Sequence, residues 1–113
     1  MSIEEDLKAN IKEFLESAER DFAEGKYNSA INSYFKAIAA LCDLKIYELK
    51  RVLPKNHSER FLFLKTSFNE VYKILSPLFN EYTKTYNLRL GKKEALLFRK
   101  NAEKIKQIFE RRT

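Results

Sequence analysis

Residues 16–46 read ESAERDFAEGKYNSAINSYFKAIAALCDLKI, and the way they are punctuated decides the fold. Gly25 is the one glycine in this stretch, and with Lys26 it makes the only turn signal between two long runs of helix-forming residues. Working back from it, Phe22, Ala18, Leu15, Phe14, Ile11, Leu7 and Ile3 recur at three- and four-residue spacing. At about 100° per residue they fall within an arc of roughly 120°, the stripe of a helix with one buried face. Ser2 followed by Glu5 is a capping box at its start, and Gly25 is a natural residue to end it. Working forward, Tyr27, Ala30, Ile31, Tyr34, Phe35, Ala37, Ile38, Leu41, Cys42 and Leu49 cover a wider face and leave only a polar ridge of Asn32, Lys36 and Asp43. Such a helix is touched on two sides, so the second helix is expected at the centre and the first outside it.

Beyond the hairpin, Pro54 disfavours a helical Leu53 and removes a backbone donor, so the second helix stops near Arg51. Residues 51–57 then form the main loop. A third helix starts with Asn56 or Ser58 as its cap and carries Phe61, Leu64, Phe68, Val71, Tyr72 and Leu75 inward. Ser76-Pro77 interrupts that pattern, and a break or strong kink is expected there, with Leu78, Phe79, Tyr82 and Tyr86 on the far side. Asn87 to Gly91 makes a second loop. Lys92 to Arg111 is the last helix, with Ala95, Phe98, Ala102, Ile105 and Phe109 facing inward. No segment alternates with period two, so the expected class is all-α: a four- to five-helix antiparallel up-and-down bundle forming one domain over residues 1–113.

Composition excludes several functions. In 113 residues, 44% hydrophobic and 34% charged with only 2 Gly and 2 Pro, there is neither the polarity of a disordered chain nor a membrane-spanning run. One Cys and one His cannot make a tetrahedral zinc site or an internal disulfide, so no metal and no cofactor is expected. The acidic opening Ser2-Ile3-Glu4-Glu5-Asp6 has no apolar run, which points to a cytoplasmic protein without a targeting segment. The net charge of +6 is unevenly placed. Residues 84–113 hold 10 basic and 3 acidic side chains, so the excess belongs to the last thirty residues and invites an acidic partner there.

Within that region Lys93, Lys100, Lys104 and Arg111 lie within about 40° of one another on the last helix, with Arg89 just before it. Cations at this spacing can track phosphates, because each neutralised phosphate releases counterions whatever the base. The competing reading is a solvated face whose late cations suit the helix dipole. Most of the aromatics, six Tyr and nine Phe, sit at core spacing, while Tyr82 and Tyr86 flank the turn into the basic helix one turn apart. His57 is the only side chain with an ordinary pKa near neutrality, and with Arg51 six residues before it could handle a proton beside a held phosphate. Alternatively it is a local hydrogen-bonding residue at the start of a helix. Cys42 reads as a small core residue.

The hairpin also resembles the first two helices of HEPN domains, small helical domains named for higher eukaryote and prokaryote nucleotide binding. The likeness lies in Ala18, Phe22, Gly25, Tyr27, Ala30, Tyr34, Ala37 and Ile38, in His57 opening the next helix, and in the basic tail with Ala95 and Ala102. Tetratricopeptide hairpins share the Gly-x-Tyr-x2-Ala element, but one hairpin without a 34-residue repeat is no array. The resemblance implies a homodimer and a toxin–antitoxin setting with a nucleotidyltransferase-like antitoxin as partner. It implies either a non-catalytic module binding a nucleotide, RNA or a partner protein, or a metal-independent ribonuclease using Arg51 and His57. Pro54 between those two, and their position before the last helices, favour the non-catalytic form. A purely protein-binding helical adaptor is the third possibility.

Overall fold

The structure, a computed structural model, describes residues 2–111. Five helices follow one another: α1 (Ile3–Ala23), α2 (Tyr27–Lys50), α3 (His57–Ser67), α4 (Asn69–Lys84) and α5 (Lys92–Arg111), with no strand among the described residues. The all-α bundle expected from the sequence is what forms.

Both ends of α1 form as its residues dictate. The Ser2 side chain accepts from the Glu5 amide at 3.0 Å while the Glu5 carboxylate reaches back to the Ser2 amide. At the other end Gly25 adopts φ +76°, and the amides of Gly25 and Lys26 donate to the carbonyls of Phe22 and Asp21 at 3.1 and 2.8 Å. These are the paired bonds of a Schellman turn, which only a residue at ease with positive φ closes without strain.

Helix α2 is the axis of the molecule. Its 24 residues at about 1.5 Å each run about 36 Å, close to the longest dimension of 37 Å. Tyr34, Phe35, Ile31, Ile38 and Ile46 are buried on it, and Ala30 and Ala37 leave room for neighbours to approach. It touches all four other helices, as its two-sided apolar face requires. Leu49, expected on that face, is instead 55% exposed, in a last turn of α2 whose Glu48 and Lys50 are exposed as well. Contacts along α2 give the directions of the others. Phe35 stacks on Tyr82 while Asn28 meets Leu88, so α4 runs opposite to α2. Phe68 packs edge-on to Phe109, setting α5 opposite to α4. Four long helices therefore run up, down, up and down, with short α3 spliced into the second connection.

The interruption in the α3–α4 region lies at Phe68 and not at Pro77. Thr66 bonds back to the carbonyls of Leu62 and Phe63, both at 3.1 Å, and Asn69 to that of Lys65 at 3.2 Å. Such back-bonding slightly destabilises the last turn, and α3 closes at Ser67. Phe68, at φ −138° and ψ 59°, then swings into the core against Phe109. Pro77 sits inside α4, with itself and Lys73 on the exposed side, where solvent can reach the carbonyl left without a partner.

Candidate functional site

His57 opens α3 behind the cap Asn56, whose side chain accepts from the Glu59 amide at 2.9 Å. Its ring is half-buried, 5.0 Å from Phe79 and 5.7 Å from Phe35. One turn on, the Arg60 guanidinium donates to His57 Nδ1 at 2.8 Å and forks onto both oxygens of Asp43 at 2.7 and 2.9 Å. A guanidinium can only donate, so Nδ1 is the acceptor and the proton of the neutral ring is on Nε2. Burial pushes the His57 pKa down, the Arg60 charge adds to that, and Asp43 opposes it. Burial alone would lower Arg60 as well, but its hydrogen bonds and charge interaction with Asp43 leave it raised. The result is a neutral imidazole whose basic nitrogen is already used. Arg51 points elsewhere: it hydrogen-bonds Glu4 at 3.1 Å and lies 5.4 Å over the Tyr47 ring, from an αL backbone at φ 59°. The arginine that meets His57 is Arg60. Their three-residue spacing was the available signal, since it puts both on one helix face, with Asp43 the acid of the α2 polar ridge.

The α5 cations are arranged differently. Lys93, Lys100 and Lys104 are exposed and make no ion pair among the described residues. Arg111, on the same strip, reaches Glu70 at 3.4 Å, and Arg99, one residue off it, reaches Glu19 at 2.8 Å. From Lys93 to Arg111 the strip is about 27 Å long at the helical rise. Hollows border it along its length, one of about 590 Å³ beside Lys104 and Arg111. Lys93 and Lys100 share a cleft of about 350 Å³ with Glu81, Glu94, Leu96 and Leu97. Lys100 also rims a groove of about 520 Å³ between α1, α2 and α5, floored by Leu15, Leu41 and Ala102. Beside that groove Tyr34 donates to Glu19, which also holds Arg99, and burial drives the Tyr34 pKa up.

Arg89 lies exposed in the turn between α4 and α5. That turn is clasped by the start of α2, where Asn28 donates to the Leu88 carbonyl at 2.7 Å and accepts from the Leu90 amide at 2.8 Å. Asn32 adds a bond to Thr85 at 3.2 Å. Composition did not reveal these two asparagines as fasteners, since their partners are some sixty residues away. Cys42 is fully buried, and burial pushes its thiol pKa up, so it is an inert core residue. Among the described residues no three His, Cys, Asp or Glu side chains gather to hold a metal ion, and no helix is long and apolar enough to cross a membrane. Compared with protein-family models, curated proteins and solved structures, the chain matches none.

Proposed function

We propose that the protein is a non-catalytic, HEPN-like helical module that binds RNA through the exposed face of α5. The observation that carries this reading is the strip of Lys93, Lys100 and Lys104, three exposed cations on one helix face that make no ion pair among the described residues. Outside α5 some cations are paired, Arg51 with Glu4, Arg60 with Asp43 and Lys84 with Glu81, while others, such as Lys8, Lys12, Lys50 and Lys73, make no ion pair among the described residues. Unpaired positive charge held in a row costs self-repulsion and is relieved when phosphates replace the counterions. Arg89 and Arg111 extend the strip at its two ends.

The non-catalytic half of the proposal is supported by His57. A general base needs a free lone pair directed at its substrate, and here Nδ1 is taken by Arg60 while the ring packs against Phe35 and Phe79. The homodimer and the nucleotidyltransferase-like partner implied by the resemblance belong to the same proposal.

Charge reversal at Lys93, Lys100 and Lys104 tests the binding surface: affinity for RNA should drop steeply while the fold persists. No binding at micromolar protein would remove the reading. Incubation with RNA in EDTA tests the catalytic side, with intact RNA expected. Cleavage that disappears in His57→Ala would replace the binding module by a ribonuclease.

A further inference from the structure

We propose that Tyr86 is a stacking platform for an unpaired base, so that the RNA taken by this protein is single-stranded. The inference rests on the proposed RNA-binding face of α5 and names the form of RNA that face receives. In this arrangement one base lies on the Tyr86 ring and the following phosphates pass Arg89 onto Lys93 and Lys100.

Exposure is the first reason. Tyr86 is 69% exposed and Leu88 beside it 55%, so neither is used by the core. Rigidity is the second, since an aromatic ring binds a base at low entropic cost only if it is already held. Tyr86 meets Tyr82 edge-on at 5.6 Å, with the two hydroxyls 3.4 Å apart, and Tyr82 in turn lies flat on the buried Phe35 at 4.2 Å and 9°. An internal aromatic column thus reaches the surface at Tyr86. The turn that carries it is fastened by Asn28 to Leu88 and Leu90, and by Asn32 to Thr85.

Charge is the third. Arg89, Lys92 and Lys93 follow Tyr86 within seven residues, are exposed, and make no ion pair among the described residues. Of the nearby acids, Glu81 pairs with Lys84 at 2.8 Å, while Glu94 accepts from the Gly91 amide at 2.7 Å and keeps its charge. In a duplex the base faces are covered by their neighbours, so a protruding ring can stack only on an unpaired base. Asn87, exposed next to Tyr86, carries an amide with both donor and acceptor, which suits the 2′-hydroxyl that distinguishes RNA from DNA.

The test is fluorescence anisotropy with a labelled mixed-sequence RNA of about 12 nucleotides, within the site sizes such proteins cover. The same sequence is presented as single strand, as duplex and as DNA, to the wild type, Tyr86→Ala and Tyr86→Phe. Single-stranded RNA should bind best, Tyr86→Ala should weaken it by about tenfold or more, and Tyr86→Phe should stay near wild type. The salt dependence should be the same in Tyr86→Ala, because the phosphates still meet the same cations. Salt-dependent binding that is equal for single strand and duplex, or unchanged in Tyr86→Ala, overturns the platform while leaving the basic face standing. Equal affinity for the DNA overturns the choice of RNA. No binding of any of the three overturns the RNA-binding reading and the platform with it.

Discussion

Arg60 is the residue on which the interior polar chemistry turns. Its side chain is 11% exposed and that of Asp43 15%, so each charge depends on the other for what water would have supplied. Asp43→Ala strands the guanidinium and is expected to cost about 3 kcal/mol in urea denaturation. Asp43→Leu combined with Arg60→Met should lose much less, because two well-packed apolar side chains dispense with both charges. If the double variant is as unstable as the single one, the pair is more than mutual neutralisation. His57 adds a pH dependence of known sign. Its folded pKa lies below the unfolded one, so the unfolded chain binds more protons and stability rises with pH. The contribution is present above the unfolded value of about 6.5 and is lost as the pH falls below it toward the folded pKa. Between pH 7.5 and 5, the urea midpoint of the wild type should therefore fall further than that of His57→Phe. Parallel curves for the two proteins would show that His57 does not titrate across folding. The sequence revealed His57 but not its partner, because the resemblance points to Arg51 six residues before it and not to Arg60, a three-residue step after it on one helix face. Only the crossing of α3 over α2 brings Asp43 into reach and selects Arg60.

At the scale of elements, the ends of helices were legible wherever a residue has one strong local preference. Ser2, Gly25, Asn56 and the loop before Pro54 all act in place, since capping and backbone conformation are decided within a few residues. Gly25→Ala is accordingly expected to cost about 1 kcal/mol. The space around an added Cβ is empty, so the loss measures backbone strain without a clash. A neutral substitution would mean that the turn relaxes to negative φ. The break between α3 and α4 was less legible, because Pro77 is the louder local signal. What decides it is the burial of Phe68 against Phe109, a contact across forty residues that no window of sequence contains. With α4 continuous, Pro77→Ala should restore a hydrogen bond to the Lys73 carbonyl, raising the urea midpoint and the unfolding free energy by about 1 kcal/mol or more. An unchanged or lowered midpoint would mean that the fixed φ of Pro77 or the packing of its ring stabilises α4.

Over the whole molecule, the division of labour follows the hydrophobic pattern. α2, apolar nearly all round, is buried and touches every other helix, whereas α5 is apolar on one side only and keeps its other side for solvent and charge. That the positive excess lies on α5 was readable from the chain. Which of its cations are free was not, because Glu19 and Glu70, which take up Arg99 and Arg111, come from α1 and α4. Among the described residues, Lys92 and Lys106 are left unpaired with the strip of Lys93, Lys100 and Lys104, and the central claim is that RNA phosphates neutralise that strip. The most direct measurement is the affinity for single-stranded RNA as a function of salt, for the wild type and for a variant with those three lysines reversed to glutamate. The wild type should show log K falling linearly with log salt. The variant should bind weakly with a slope shallower by about 2, since each phosphate left without its lysine removes about 0.7 from the slope. Binding insensitive to salt, or a slope that survives the reversal, would contradict it.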